Sequence, residues 1–122
     1  MIRVTLPFPA AELFPNRSKG RHWASLSAVR ASALNTGYTL TYQAVSGHRG
    51  QWPDLTQDVP LTLTFYQPDR RGRDADNMLA AAKHLLDGVA TALTVNDRRF
   101  SPITIKRGEV VKGGALLVEI GE

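Results

Sequence analysis

Two aspartates lie two positions apart in an arginine-rich segment of the chain, and a third follows after an amphipathic stretch. They are Asp74 and Asp76, within Arg73-Asp-Ala-Asp-Asn77, and Asp97. Magnesium prefers oxygen ligands and usually binds through one or two protein carboxylates together with phosphate oxygens of a substrate. A metal held in this way lowers the pKa of a bound water and neutralises charge that develops on a phosphodiester. The spacing therefore predicts a magnesium site, with these three aspartates as ligands, that acts on a phosphate backbone.

Basic residues surround these acids. Arg70, Arg71 and Arg73 precede the first pair, and Arg98 follows Asp97. Guanidinium groups form charge-assisted hydrogen bonds with phosphates, and such contacts do not depend on the base sequence. The whole chain carries a formal net charge of +4 at pH 7, which also favours a polyanionic partner. We therefore expect these arginines to hold a nucleic-acid backbone.

A purely structural interpretation of the same residues stays open at this point. An Asp-x-Asp-Asn sequence at a helix start is often a capping arrangement, in which a carboxylate accepts hydrogen bonds from free backbone N–H groups. An arginine beside an aspartate is often a solvated surface pair that contributes little. The residue types alone do not separate this interpretation from a metal site.

Hydrophobic periodicity predicts the elements that position the aspartates. Residues 60–66 alternate in the manner of a strand, with Leu61, Leu63 and Phe65 on one face. Residues 77–93 have helical spacing, and their apolar positions form one stripe that faces a core. This stripe comprises Met78, Ala82, Leu85, Val89 and Leu93. Asp74 and Asp76 therefore fall at a strand-to-helix junction, and either one can cap the first turn of the helix.

The remaining segments complete a small domain. A strand is predicted over residues 2–6, and it ends at two prolines. We expect a polar and basic loop over residues 10–23 and an exposed connection over residues 46–58. A second helix is expected from Ser25 onward, with Ser25 or Ser27 as the N-cap and a break or weak point at Gly37. Residues 103–111 and 115–120 predict two strands joined in a hairpin by Lys112-Gly-Gly114.

Length and composition limit the class of protein. The 122 residues, 43% of them hydrophobic, suit one folded domain over residues 1–122. The chain has no cysteine, which excludes disulfides, thiolate zinc sites and cysteine nucleophiles. No apolar run reaches the roughly 18 residues of a membrane span, so we expect a cytoplasmic protein. We predict an α/β (α+β) domain, in which a mixed sheet packs with two main helices.

The chain resembles the RusA family of Holliday junction resolvases, which is common in bacteria and their prophages. The resemblance lies in Asp69-Arg-Arg-Gly-Arg-Asp-Ala-Asp-Asn77, followed by a helix and Val95-Asn-Asp-Arg98. Leu6-Pro-Phe-Pro9 with Asn16 is similar to the family's opening strand and Pro-x-x-x-Asn loop, and Val111-Lys-Gly-Gly114 is similar to its closing strand pair. The resemblance thus covers nearly the whole chain, and its acidic core is more specific than its ends.

The resemblance implies a metal-dependent endonuclease that cuts four-way DNA junctions as a homodimer during recombination and repair, with Mg²⁺ or Mn²⁺ as cofactor. The family's catalytic and metal-binding aspartates correspond to Asp74, Asp76 and Asp97. DNA contacts are expected from the basic and polar residues near this site and in the loop after the first strand: Asn16, Arg17, Lys19, Arg21, Arg70, Arg71, Arg73 and Arg98.

One catalytic position departs from the family pattern. The family has a lysine four residues after the second motif aspartate, and this chain has Ala80 there. Lys83 lies three residues after Ala80 and, together with Asp87, keeps the family's Lys-x-x-x-Asp spacing. At about 3.6 residues per turn, a helix places Lys83 over Asp76. Lys83 is thus the expected catalytic replacement, and a solvated surface lysine is the alternative.

Two other functions remain possible from the sequence. One is a module that binds junction or duplex DNA without catalysis, although three acids in a basic groove would only repel phosphate in a pure binder. The other is a magnesium-dependent nuclease that acts on other branched DNA or on RNA. The recognition of branched shape leaves no short motif, so the sequence does not distinguish this nuclease from a resolvase.

Overall fold

The computed structural model describes residues 1–18 and 23–122, which contain four strands and four α-helices. The strands are β1 (Ile2–Leu6), β2 (Val59–Tyr66), β3 (Phe100–Arg107) and β4 (Ala115–Ile120). The helices are α1 (Pro15–Ser18), α2 (Trp23–Ser46), α3 (Ala75–Ala81) and α4 (Lys83–Leu93), with 3₁₀ turns at Ala11–Leu13 and Asp97–Arg99. Residues 47–58 form no helix or strand and are mostly exposed, as predicted.

The four strands form one mixed sheet in the order β1-β4-β2-β3. β4 is antiparallel to both of its neighbours, so Val118 lies opposite Val4 on one side and Leu63 on the other. β3 runs parallel to β2 at the edge, where Ile105 lies beside Leu63. A mixed sheet with helices confirms the predicted α+β class.

The core lies between one face of the sheet and the helices. Leu61, Leu63 and Phe65 are fully buried, which confirms the face predicted for β2. All five residues of the predicted stripe over residues 77–93 are buried as well. The helix itself begins earlier, at Ala75, and Ala82 divides it into α3 and α4.

Of the two alternatives predicted at Gly37, the break is absent and the helix that tolerates a weak point is confirmed, because α2 continues through this residue to Ser46. The backbone of α4 approaches closely at this position. A Cβ atom on Gly37 would lie 2.1 Å from the carbonyl oxygen of Leu85, and one on Gly88 would lie 2.2 Å from the carbonyl oxygen of Leu34. The two glycines therefore allow two helices to cross at a distance that no other residue permits, and packing outweighs the weak helix propensity of glycine.

The start of α2 also differs from the prediction. The helix begins at Trp23, so Ser25 and Ser27 lie inside its first turns and neither is the N-cap. The preceding loop was predicted over residues 10–23. Its described part, residues 10–18, contains a 3₁₀ turn and the short helix α1, and residues 19–22 lie outside the described residues. Local propensity does not reveal these short turns, because proline, here Pro15, is favoured both at the first position of a helix and in turns.

The predicted hairpin between the last two strands is wrong. The turn exists, since Gly114 donates a backbone hydrogen bond to Val111 and both glycines, Gly113 and Gly114, have positive φ angles of 80° and 71°. However, β2 lies between β3 and β4. Alternate residues of β4 are completely buried, whereas β3 buries only Phe100. β3 is largely exposed and contains Pro102, and both properties suit a strand at the edge of a sheet.

Among the helices in the described part of the chain, none combines the length and the apolar character needed to cross a membrane.

Candidate metal site and nucleic-acid interface

The first pair of aspartates lies at the start of α3, after the loop that follows β2. Asp74 occupies the N-cap position of α3 with extended backbone angles (φ −74°, ψ 145°), but its side chain makes no capping hydrogen bond. Asp76 lies in the first turn of the helix. Both residues are exposed. Capping therefore does not account for the carboxylate of Asp74, and both side chains are accessible to a ligand from solvent.

A clamp between Arg73 and Asp69 holds the loop that leads to Asp74. Arg73 Nη1 donates to Asp69 Oδ1 at 2.8 Å, and Nη2 donates to Oδ2 at 3.2 Å. Arg73 Nη1 also donates to Oε1 of Gln67 at 3.0 Å. The hydrogen bond from Arg73, followed by one from the backbone N–H of Arg71, lowers the pKa of Asp69 to about 2. This two-point geometry gives the loop one defined shape.

Two aromatic rings support the same guanidinium group. Its central carbon lies 5.3 Å from the ring centre of Phe8 and 6.0 Å from that of Phe14, within the range of a cation–π contact. The side chain of Arg73 is only 17% exposed. The contact of Arg73 with DNA stays a prediction. Its guanidinium is held by contacts within the protein and thereby positions the loop next to Asp74.

The other predicted DNA contacts lie at the surface where the structure describes them. The side chain of Arg71 is 78% exposed and approaches Asp69 only at 3.9 Å. The remaining residues of this set within the described ranges are also exposed: Asn16, Arg17, Arg70 and Arg98. Lys19 and Arg21 lie outside the described residues. Binding of DNA by this set stays a prediction.

A contact with Lys83 connects the second acidic motif to the helix that follows the first. Asp97 begins the 3₁₀ turn after α4, and Asn96 caps this turn by accepting a hydrogen bond from the backbone N–H of Arg98. Lys83 Nζ lies 3.5 Å from Asp97 Oδ2 and 3.2 Å from Asp87 Oδ1. Lys83 thus joins the exposed side of α4 to the turn that carries Asp97.

The charges of this cluster are stable near neutral pH. The hydrogen bond to Asp87 raises the pKa of Lys83, and the negative charges of Asp87 and Asp97 raise it further. A hydrogen bond with Asp87 lowers the pKa of Asp97, and Lys83 and the backbone N–H of Arg98 lower it further. Lys83 therefore stays cationic and Asp97 stays ionised through the neutral range.

Two residues in this cluster were not assigned a role from the sequence. In the sequence, Asp87 was noted only for its spacing from Lys83. Residues four apart on a helix lie side by side, so this spacing indicates that the two side chains are in contact. His84 Nδ1 lies 3.7 Å from Asp87 Oδ2. Burial lowers the pKa of His84, so its imidazole is mainly neutral at neutral pH and forms no ion pair there.

The donor chemistry of the site suits magnesium, but a complete cage is not formed. Asp74, Asp76 and Asp97 offer oxygen ligands of the kind that Mg²⁺ takes together with substrate phosphates. Within residues 1–18 and 23–122, no three side chains of Asp, Glu or His come together as a group able to hold one metal ion. A site completed by phosphate oxygens is thus compatible with these residues, and the three-aspartate ligand set stays a prediction.

Comparison with known proteins places the chain among its relatives. No family model matches it. An uncharacterized protein of Xylella fastidiosa (strain Temecula1 / ATCC 700964) is 35% identical over 124 aligned residues, which cover 98% of this chain and 76% of the relative. Identity of this extent over almost the whole chain shows that the protein belongs to the same family as that Xylella protein.

Proposed function

We propose that this protein is a magnesium-dependent endodeoxyribonuclease of the RusA type, which resolves four-way DNA junctions in the cytoplasm as a homodimer. The contact between Lys83 and Asp97, 3.5 Å between Nζ and Oδ2, is the observation that carries the proposal. It connects Asp97 to the helical segment that begins at Asp74 and Asp76. Asp76 lies in α3, and Lys83 lies seven residues later in α4, beyond the division at Ala82. We infer that both acidic motifs contribute to one surface.

The exposure of the first two carboxylates adds support. Asp74 makes no capping hydrogen bond and Asp76 is exposed beside it, although carboxylates at this position normally cap the helix. Two anionic groups left open next to exposed arginines repel phosphate unless a cation neutralises them. A divalent metal between protein and DNA removes this conflict.

Each residue then has a distinct role. Asp74, Asp76 and Asp97 would hold Mg²⁺, which when bound supplies an activated water and neutralises charge on the phosphate. Arg70 and Arg71, which are both exposed, bind phosphates of the DNA backbone. Lys83 keeps its positive charge beside Asp97 and stabilises negative charge that develops at the reacting phosphate.

The homodimer follows from the symmetry of the substrate. A four-way junction has near two-fold symmetry, and a two-fold dimer presents two identical sites to it. One site then cuts each of two opposing strands. The products are two nicked duplexes, which a single monomeric site acting once does not produce.

The experiment that tests the proposal compares DNA structures directly. The protein is incubated with a synthetic four-way junction, a linear duplex and a single strand, each with Mg²⁺ or with a chelator. Paired cuts in the junction that require Mg²⁺ are expected, and the linear duplex stays intact. Binding to the junction without cleavage would instead favour a binding module, and preferred cleavage of another branched DNA or of RNA would favour a different nuclease.

Substitution of the aspartates tests the assigned site. Asp74→Asn, Asp76→Asn and Asp97→Asn should each abolish cleavage and leave junction affinity unchanged or higher, because each removes a metal ligand and a negative charge facing phosphate. Asp58→Asn is the matched control, since Asp58 is exposed and precedes the opposite end of β2. Substantial cleavage by one of the three variants would remove that aspartate from the site.

A further inference from the structure

A groove lies next to Asp74, between the segment that follows β1 and the loop that precedes α3. Its volume is about 430 Å³, within the usual size range of ligand sites. It is lined by aromatic, small and polar residues that include Phe8, Phe14, Asn16, Pro68, Arg71 and Gly72. A smaller pocket of about 130 Å³ shares Phe14, Asn16 and Gly72 with the groove and also includes Asp74. The groove therefore continues to the first aspartate of the candidate site.

The aromatic wall of the groove is held in one position. The rings of Phe8 and Phe14 stack with their centres 5.9 Å apart, and Phe8 also meets the buried ring of Phe65 edge-on at 6.2 Å. Arg73 covers both rings of the stack and is itself fixed by Asp69. A surface of this kind is formed before any ligand arrives, so a ligand loses less free energy in ordering it.

The chemistry of the groove selects a flat ligand with a polar edge and a negative charge beside it. Aromatic rings and Pro68 offer an apolar surface, the amide of Asn16 can both donate and accept hydrogen bonds, and the side chain of Arg71 is 78% exposed at the rim. An unstacked nucleobase has this character, because its face is apolar, its edge forms hydrogen bonds and its phosphate is anionic.

We infer that this groove receives one unstacked nucleobase of the DNA, next to the phosphate that is cut, and thereby gives the protein a sequence preference. The inference rests on the proposed function. The continuity between the groove and Asp74 assigns the base to a nucleotide adjacent to the scissile phosphate. Asn16 contacts the edge of the base, the aromatic wall supports its face, and Arg71 binds its phosphate.

A substitution that fills the groove without disturbing the fold tests this inference. At Gly72, a Cβ atom would meet no other atom within 4 Å, and the backbone is not in the left-handed region. Gly72 lines both the groove and the smaller pocket, so Gly72→Leu adds a bulky side chain where the two meet. Gly47→Leu is the matched control, because its Cβ would meet only the carbonyl oxygen of Gln43, at 3.7 Å, and Gly47 lies outside the groove.

The first measurement is independent of cleavage. Four-way junctions that carry 2-aminopurine at single positions near the branch point are titrated with protein in the presence of a chelator, and anisotropy reports total affinity. For the original protein and Gly47→Leu, the fluorescence should change strongly at one position. Gly72→Leu should lose this change while it still binds the junction.

The second measurement maps cut sites in junctions whose base pairs near the branch point are randomised. The original protein should prefer one base at one position by about ten-fold, a scale that one side-chain contact to a base edge can supply, and Gly72→Leu and Asn16→Ala should reduce this preference. If Gly72→Leu has the same base preference and the same fluorescence change as the original protein, the base site is refuted, whereas the proposed nuclease function is unaffected. If the original protein neither binds nor cuts any of these junctions, both proposals are refuted.

Discussion

Replacement of Gly88 by alanine should destabilise the protein, although alanine is the better helix former. An alanine Cβ at this position would lie 2.2 Å from the carbonyl oxygen of Leu34, 2.6 Å from the backbone nitrogen of Tyr38 and 3.0 Å from the carbonyl carbon of Gly37. Ordinary contact begins near 3.4 Å, so α2 and α4 must separate by about 1 Å. All three atoms belong to the backbone of α2, and no side-chain rotation relieves the overlap.

Two opposing effects determine the magnitude. Replacement of glycine by alanine inside a helix stabilises it by about 1 kcal/mol. Overpacking of a well-packed core costs about 1–3 kcal/mol and occasionally more. The upper end of this range applies to Gly88→Ala, because the atoms in the way belong to a rigid helix backbone. We therefore expect a net loss of about 2 kcal/mol in the free energy of unfolding, or a decrease of roughly 8 °C in Tm for a chain of this size.

Urea denaturation followed by circular dichroism measures this change. Gly88→Ala should have a lower midpoint and an unchanged m-value, which indicates a loss of stability without a change in the surface exposed on unfolding. Gly47→Ala is the control, since its Cβ would make only one ordinary contact, at 3.7 Å, and its stability should stay within about 0.5 kcal/mol. A Gly88→Ala variant as stable as the control would show that the helices do not cross at this distance.

Three further changes test other parts of the structure. Thr41→Val should raise the free energy of unfolding by about 1 kcal/mol in the same urea assay, because Oγ1 of Thr41 is buried without a hydrogen-bond partner among the described residues. A decrease in the free energy of unfolding would show that the hydroxyl forms a hydrogen bond. The lowered pKa of Asp69, about 2 against an ordinary 3.8, stabilises the fold above pH 4 and loses this effect as the pH falls toward 2. Asp69→Asn should lack that part of the pH dependence of the urea midpoint, and an unchanged profile would contradict the clamp with Arg73. Lys83→Ala should slow single-turnover cleavage of bound junction about ten-fold or more with a smaller loss of affinity, whereas unchanged cleavage would make Lys83 a surface residue.

The sequence predicted those elements whose hydrophobic pattern is strong and local. Alternation over residues 60–66 and helical spacing over residues 77–93 identified β2 and the buried sides of α3 and α4, because a two-sided element must place its apolar residues on one face. The position of β4 was not predictable in this way. Its diglycine turn is a local signal for a hairpin, whereas its central place depends on β1, which lies more than a hundred residues earlier.

In the candidate site, too, the features that depend on local sequence were predicted and those that depend on distant residues were not. The location of Asp74 and Asp76 at a strand-to-helix junction was predicted, because both elements are adjacent in sequence. The internal role of Arg73 was not, since two of its partners, Phe8 and Phe14, lie about sixty residues away. A cluster of arginines indicates positive charge, but only the fold shows which guanidinium group faces solvent and which one is used inside the protein.

The central position of β4 also affects how the chain folds during its synthesis. β1 and β2 do not pair with each other, and each forms its antiparallel pairing with β4. The ribosome completes β1 and β2 well before it reaches Ala115. Until then, β1 has no strand neighbour and one edge of β2 is unpaired, and unpaired strand edges are prone to aggregation. The sheet therefore closes only after translation of its last strand, and a chaperone has its greatest opportunity to act in that interval.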